Sequence, residues 1–179
     1  FSGNDGQLEK TLAIHREVMQ TALTSGGLFK LTETLVRLIG NPVLVTDSSW
    51  NLLCYVDRPD NPFPLAECVN VTEKQPPFPE RFLATLPDSL RNYKKAVTRV
   101  FEIADKGKVH CRIRPIAAHN FIYGYLIVWE SVRDMGELDY VALEQVALVA
   151  ALDRIRAKEV EQTKLRVRKD FLDDLLSGN

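Results

Sequence analysis

The sequence lacks a dominant charge, a long apolar run and a set of cysteines that can all pair. Its 23 Lys and Arg residues almost balance 24 Asp and Glu residues, so the net charge is −1 at pH 7. This balance gives the chain no general attraction for nucleic acid or for a membrane surface. No apolar run approaches the roughly 18 residues of a membrane span. With three cysteines, we expect reduced thiols and a cytoplasmic protein.

Motifs for catalysis and for metal binding are missing as well. The sequence has no Gly-rich phosphate loop, no nucleophile elbow and no His-x-x-x-His pair. We therefore predict a protein that is not an enzyme, with no catalytic residue, no cofactor and no metal. A metal cluster of Cys54, Cys111 and His110 is conceivable if two strands bring them together. Buried structural cysteines explain the same pattern more simply.

Proline and glycine are absent from residues 137–177, and most residues there are strong helix formers. One helix over this stretch would be about 60 Å long, so part of it must leave the globular body. We expect Asp134 to begin the helix in a capping box and Gly178 to end it in a left-handed conformation. Residues 140–152 are apolar on nearly all sides, which predicts cover from a sheet and from another helix.

Beyond Asp153 the helix becomes charged and keeps a narrow seam of apolar residues, namely Ile155, Val160, Val167 and Phe171. This pattern predicts a solvated helix that pairs with a second copy and relays rotation or sliding. Output would then depend on helical phase, so one or two residues inserted near Thr163 should disrupt it and seven should restore it. The basic run at 164–169 either touches phosphates or, more simply, forms a solvated helical face.

Earlier in the chain, apolar spacing predicts helices over residues 7–24 and 28–39. The second carries a leucine seam that packs either on its own domain or in a dimer. Six of the nine prolines lie in residues 57–79, which predicts a long loop, and a short helix should follow over residues 79–86. Strands are predicted at 43–47, 52–56, 97–103, 109–116 and 121–129. The result is an α+β architecture with an antiparallel sheet of about five strands.

The order of these pieces resembles a GAF-type sensor domain. More narrowly, it resembles the GAF-like domain of PucR/CdaR-type bacterial transcriptional regulators of purine catabolism and sugar-diacid use. The resemblance covers most of the chain from about Ser25, and the stretches that carry it are 27–47, 114–116 with 123–128, and 143–147 with 168–176. Accordingly, we divide the chain into an N-terminal helix at 1–24, a sensor domain at 25–153 and a helical linker at 154–179. The resemblance implies that DNA is bound only through a domain absent from this chain.

A polar row on the fourth strand is the candidate ligand site. His110, Arg112 and Arg114 alternate with apolar residues, so they project from one face of the strand. The two arginines offer forks for a carboxylate or a planar oxo-compound, and Tyr123 and Tyr125 on the next strand can stack or donate. We predict a small anionic or planar effector here, covered by the proline-rich loop. A polar face beside solvent is the plainer interpretation.

Together these observations predict a homodimeric sensor domain of a transcriptional regulator, with a small-molecule effector and no membrane association. A purely structural dimerisation and relay module without a ligand stays open as the alternative.

Overall fold

The computed structural model describes residues 2–24, 26–69, 83, 97–103 and 106–178. Apart from the helical Leu83, the described residues form three helices and five strands, which follow one another as α1 (Ser2–Leu23), α2 (Gly27–Ile39), β1 (Val43–Asp47), β2 (Leu52–Val56), β3 (Val97–Ile103), β4 (Gly107–Ala118), β5 (Phe121–Trp129) and α3 (Glu137–Leu176). The strands form one antiparallel sheet in the order β2-β1-β5-β4-β3. This arrangement confirms the predicted α+β class with a sheet of about five strands, and it places β5 at the centre of the sheet.

The turn between β4 and β5 explains why this pair of strands is a tight hairpin. His119 and Asn120 both adopt left-handed backbone conformations, with φ of 52° and 65°. Two consecutive residues with positive φ are typical of the hairpin turns whose twist matches that of the flanking strands. The turn is thus narrower than the predicted one at residues 117–120, and β4 runs on to Ala118.

All three helices lie on the same side of the sheet, which we call the helix face: α2 and α3 pack on the strands, and α1 packs on α2 and α3. Its core is aliphatic and includes Leu35 of α2, Leu126 of β5, and Leu143 and Val146 of α3. The predicted double cover of α3 is confirmed, because this helix packs on β4 and also on α1 and α2. Helix α2 and the first half of α3 therefore turn apolar stripes toward one shared core, to which α1 contributes Val18 and Ile14.

The leucine seam of α2 is used within the chain. Leu31, Leu35 and Ile39 of this seam are buried in the helix-face core, while Leu28 and Leu38 are half-buried against it. The alternative in which this seam joins two copies is therefore wrong, because its side chains already pack on their own domain. The helix ends at Gly40, whose φ of 71° is the left-handed conformation expected of a glycine C-cap.

The start of α3 differs from the predicted capping box by two residues. The N-cap is Gly136 rather than Asp134, and its amide donates to Oδ2 of Asp139 over 2.8 Å. Asp139 takes this position because it also faces the guanidinium of Arg133, with both carboxylate oxygens 2.6 Å from Nη2. At the other end, Gly178 has a φ of 77°, which confirms the predicted left-handed end.

The 40-residue helix α3 leaves the globular body after its first half. Every side chain from 156 to 176 is exposed, including the predicted seam residues Val160 and Val167. Counting about 100° for each residue, these two point about 90° away from the direction of Leu148 and Leu152, which are exposed on the proximal half. Within the described residues, none of the helices combines the length and apolarity of a membrane-crossing segment.

The described part of the proline-rich segment, residues 57–69, is irregular apart from one 3₁₀ turn at Leu65–Glu67. It covers the side of the sheet opposite the helices. The remainder of the predicted loop and the predicted helix at 79–86 lie outside the described residues, apart from Leu83.

Candidate functional site

The side of the sheet that the helices leave uncovered carries aromatic and polar side chains, and we call it the aromatic face. Its buried sheet residues are Leu44, Ile103, Val109, Cys111, Ile113, Tyr125, Ile127 and Trp129. Phe63, Leu65 and Val69 reach down onto it from the segment 57–69 and are buried there. The irregular segment 57–69 thus shields part of this face from solvent through three apolar side chains.

Pairing between strands arranges the side chains of the aromatic face in rows. Cys111 on β4 lies opposite Arg99 on β3 and opposite Trp129 on β5. Directly opposite residues share one face of an antiparallel sheet, so a guanidinium, a thiol and an indole lie in one row. The next row runs through Val97, Ile113, Ile127, Leu44 and Tyr55. Arg99 and Tyr55 therefore mark the two polar edges of an apolar floor.

Trp129 is the centre of an aromatic cluster on this floor. Its ring centroid lies 5.0 Å from that of Phe63 in a stacked arrangement and 5.2 Å from that of Phe101 in an edge-on arrangement. Cys68, which follows the 3₁₀ turn, packs against the same cluster. Since aromatic pairs favour these two geometries, the cluster presents ring faces in more than one orientation.

A second aromatic pair lies at the β1–β2 end of the face. The rings of Trp50 and Tyr125 are parallel within 9°, with centroids 3.9 Å apart. Trp50 has a φ of 65°, which is rare for a bulky residue. The side chain of Asp47 holds this turn, because its carboxylate accepts from the amides of Ser49 and Asn51 over 2.8 and 2.9 Å. The turn thus fixes an indole over the edge of the sheet at some cost in backbone strain.

The titratable groups inside this face are held neutral. Burial raises the pKa of the Cys111 thiol well above its usual value. Burial, followed by the nearby Asp57 carboxylate, raises the pKa of Tyr55. Asp57 itself organises the cover, since its two carboxylate oxygens accept from the amides of Arg58 and Phe63 over 2.7 and 2.8 Å. Positive charge enters from Arg99 at the β3 edge, so the face is apolar with one cationic border.

The predicted site residues are divided between the two faces of the sheet. Arg112 lies on the helix face, where it donates to Glu130 over 3.0 Å and to Thr98, and its guanidinium sits 5.9 Å from the ring of Tyr140. Arg114 lies on the same face and approaches Glu144 of α3 at 3.9 Å. The described part of the proline-rich segment is on the opposite face, so residues 57–69 do not cover these arginines, which lie beside α3 instead. The rest of the predicted cover lies outside the described residues.

A β-bulge separates the two tyrosines of the predicted site. Opposite β4, the register shifts between Ile116 and Ala117, and Tyr123 is the extra residue on β5. Such a bulge reverses the alternation of the strand, so Tyr123 packs toward the helix face while Tyr125 belongs to the aromatic face. The adjacent Gly124 allows β1 to approach, since a Cβ there would overlap the carbonyl oxygen of Thr46.

The remaining predicted residues stay on the helix side. His110 is exposed, and Arg114 borders a groove of about 400 Å³ between β4 and α3. The metal hypothesis is not supported by the geometry, because Cys54 packs against the helix-face core, near the hydroxyl of Thr32, whereas Cys111 faces the other side. The described residues contain no group of three potential metal ligands. Whether the predicted residues bind a ligand stays a prediction.

A polar junction connects the aromatic face to the start of α3. Asn41 is fully buried, and its Oδ1 accepts from the amides of Val132 and Arg133 over 3.1 Å. The Arg133 guanidinium donates to the carbonyl of Ile39 over 2.8 Å and faces Asp139. From the segment 57–69, Arg58 donates to the carbonyl of Gly40 over 3.2 Å. Two arginines from different loops therefore meet at the carbonyl-rich end of α2, where positive charge is favourable.

Comparisons with known proteins concern the fold. A scan against protein-family models finds no match, and no curated protein is significantly similar. Among solved structures, the GAF domain of an Acinetobacter phosphoenolpyruvate-protein phosphotransferase superposes with a TM-score of 0.53 at 14% identity, over 85% of this chain and 97% of that one. The chain has a GAF-like fold. The cofactor-binding GAF domain of the nutrient sensor CodY from Clostridium difficile gives 0.52 at 15% identity, over 83% and 97%.

A third GAF-like neighbour is a GAF domain/HD domain protein from Geobacter sulfurreducens, with a TM-score of 0.51 at 11% identity over 75% of this chain and 97% of that one. At such identities the likeness shows the fold alone. The resemblance to a GAF-type domain is thereby confirmed as a fold, and the narrower resemblance to PucR/CdaR-type regulators stays a prediction.

Sequence reasoning missed Trp50, Tyr55, Arg99 and Trp129 as site residues. A signal for Arg99 was present, because it lies two residues from both Val97 and Phe101 and so shares their face of β3. Which residues of β3 share a face with Cys111 of β4 can be decided only when the register of the two strands is known. For Trp50, no local pattern indicated that a turn residue would lie over the sheet.

Proposed function

We propose that this GAF-like chain is a regulatory sensor domain that binds a small planar molecule on its aromatic face and relays the event through α3. The observation that carries the proposal is the contrast in cover. In the part of the chain that the structure describes, one face is covered by α2 and α3 with α1 behind them, while the other carries indole, phenol, thiol and guanidinium groups under the irregular segment 57–69 and the helical residue Leu83. Pockets for small molecules are typically apolar and aromatic with a few placed polar groups, which this face provides.

The chemistry of the face limits the ligand. Flat rings such as those of Trp50, Tyr125 and Trp129 favour a planar partner, since stacked rings gain beyond their buried area. The neutral interior disfavours a charge at the centre of the ligand. Arg99 at the β3 edge suits a carboxylate or an oxo group at one end. A planar heterocycle with a single anionic or carbonyl edge therefore fits best.

A regulatory role is supported by one structural neighbour, by the sequence resemblance and by the polar junction. The neighbour CodY is described as a nutrient sensor with a cofactor-binding GAF domain. The sequence resemblance to PucR/CdaR-type regulators points the same way, toward a role in transcriptional regulation. The polar junction supports a relay, because it ties Arg58 of the cover, the end of α2 and the beginning of α3 to one another.

A structural dimerisation module without a ligand is the second candidate function. It is favoured by the three anchors Phe63, Leu65 and Val69, which already fill part of the aromatic face. In that case the face is a second hydrophobic core, and no small molecule should compete with these side chains.

A thermal-shift screen of purines, ureides and sugar acids tests the proposal. Planar ring compounds should raise the melting temperature, and quenching of the fluorescence of Trp50 and Trp129 should report the same binding. Arg99→Gln should weaken carboxylated or oxo ligands about tenfold, since it removes a charge-assisted hydrogen bond. Arg112→Gln is the matched control on the opposite face and should leave affinity unchanged.

The reverse pattern would favour the originally predicted row. If the Arg112→Ala and Arg114→Ala double variant abolishes the thermal shift while Arg99→Gln does not, then the ligand lies on the helix side. If no compound shifts the melting temperature or quenches fluorescence, the structural module is the better description.

A further inference from the structure

The groove of about 400 Å³ between β4 and the first half of α3 lies on the helix side of the sheet. Its volume is within the range of small-molecule sites, which is roughly 300 to 1,000 Å³. From α3 it is lined by Val141, Glu144, Gln145 and Leu148. Offsets of three, four and seven residues place these four side chains on one stripe of the helix. The groove therefore runs beside about two turns of α3.

The lining of this groove is mainly aliphatic. Pro115 and Ala117 line it from β4, and Ala147 joins Val141 and Leu148 on α3. Among its eight lining residues, all in the described part of the chain, none is aromatic, in contrast to the aromatic face. Aliphatic walls favour an apolar body through the hydrophobic effect, which has no preferred direction. The groove therefore suits a hydrocarbon chain rather than a stacked ring.

Arg114 supplies the positive charge of the groove. It shares a face of β4 with Arg112, but the carboxylates beside the two guanidinium groups differ. Nε of Arg112 lies 3.0 Å from Oε1 of Glu130, whose side chain is only 2% exposed. Nη2 of Arg114, which is 18% exposed, lies 3.9 Å from Oε1 of Glu144, whose side chain is 73% exposed. Such a long contact to an exposed carboxylate is weak, so Glu144 can leave this position at little cost.

We propose that the groove binds a small amphipathic carboxylic acid. Its carboxylate takes the place of the Glu144 carboxylate beside the guanidinium of Arg114, and its aliphatic body lies along α3. A guanidinium fork matches a carboxylate in shape and charge, and a mostly buried fork interacts more strongly than an exposed one. The site is separate from the aromatic face and does not depend on the proposed function. A ligand here touches both the sheet and the helix that leaves the globular body.

The test is a titration of the 179-residue chain with hexanoate, followed by NMR through the amide shifts of Arg114, Ala117 and residues 141–148. Hexan-1-ol is the matched ligand without the charge, and it should bind at least about tenfold more weakly. Arg114→Gln should weaken the binding of hexanoate by a similar factor. Arg112→Gln removes the same charge from the same strand, outside the lining of the groove, and should leave the affinity unchanged.

Glu144→Gln gives a prediction of the opposite sign. It removes the carboxylate that competes for Arg114, so hexanoate should bind more tightly, by a factor of about two to five. Because the side chain of Glu144 is exposed, this variant should fold like the parent, which circular dichroism checks. It therefore tests the proposal even if Arg114→Gln fails to fold.

Two readouts separate this site from the aromatic face. Hexanoate should leave the emission of Trp50 and Trp129 unchanged, and Arg99→Gln should not alter its affinity. Equal binding of hexanoate and hexan-1-ol overturns the proposal, as does binding that Arg99→Gln abolishes and Arg114→Gln does not. If hexanoate moves no amide along the groove, the proposal is wrong, whereas the proposed function is judged separately by its planar ligands.

Discussion

The two faces of the sheet are covered by different means. On the helix face, regular helices bring aliphatic side chains at fixed intervals, and the backbone of the cover satisfies its own hydrogen bonds. On the aromatic face, the described cover includes the helical residue Leu83 and the irregular segment 57–69, which is anchored by three side chains and by the carboxylate of Asp57. An irregular cover with few anchors opens at a smaller cost than a packed helix layer. Under the proposed function, stability and access to ligands are assigned to opposite sides of one sheet.

The largest expected effect tests this assignment with the same substitution on both faces. Leu35→Ala, on the helix face, should lower the free energy of unfolding by about 3 kcal/mol, because the rigid surroundings leave a cavity. Leu65→Ala, in the irregular cover, should cost about 1 to 2 kcal/mol, because the segment can relax into the space. Urea unfolding of both variants measures the difference. Equal losses would contradict a looser cover.

The polar junction between the faces should give the next largest effect. Asn41→Ala leaves the amides of Val132 and Arg133 without their buried acceptor. We expect a loss of about 2 kcal/mol in the free energy of unfolding. Asn41→Asp is the control, because it keeps the acceptor and removes only the Nδ2 donor, which bonds the carbonyl of Arg133 over 2.8 Å. If Asn41→Ala is neutral in urea unfolding, the junction does not hold the two faces together.

The stack of Trp50 on Tyr125 should contribute less. Tyr125→Leu keeps an apolar side chain but removes the ring contact, which is worth about 1 kcal/mol. Near-ultraviolet circular dichroism and the emission of Trp50 should change with it. Tyr123→Leu is the control, because Tyr123 packs toward the helix face. This substitution should leave both signals close to those of the parent. Similar spectra for the two variants would show that Trp50 is not held by this stack.

The smallest effect is a dependence on alkaline pH. Burial raises the pKa of Tyr55 and of Cys111, so both are neutral in the folded protein. Their contribution to stability is complete below their unfolded pKa values, about 8.5 for Cys and 10 for Tyr, and is lost as the pH rises toward the folded values. The melting temperature should therefore fall above about pH 9, and less steeply in Tyr55→Phe. A fall of the same slope in both proteins would exclude Tyr55 as a cause.

The sequence predicted those parts of the fold that depend on local patterns. Apolar spacing located the three helices, the alternation on β4 placed His110, Arg112 and Arg114 on one face, and Gly178 marked the end of α3. The candidate site depended on contacts between distant segments. Which face the segment 57–69 covers is decided by how Phe63 and Trp129 meet, and the bulge at Tyr123 reverses an alternation that reads as continuous in the sequence. These features are determined by packing between strands and segments that are distant in sequence, and the periodicity of a single strand carries no information about that packing.

The length of α3 between its two exposed stripes fixes an angle. Leu148 and Leu152 point about 90° away from Val160 and Val167, which is close to the turn that one residue makes in an α-helix. Deleting one residue from 153–159 would therefore bring both stripes to one edge of the helix, whereas inserting one would set them nearly opposite. A molecule that binds Val160 and Val167 is thus held at a fixed rotation about the helix axis relative to the globular part of the chain. The number of residues between the stripes determines the angle between them. Insertions or deletions can change this angle only in steps of about 100°, the rotation that one residue makes in the helix.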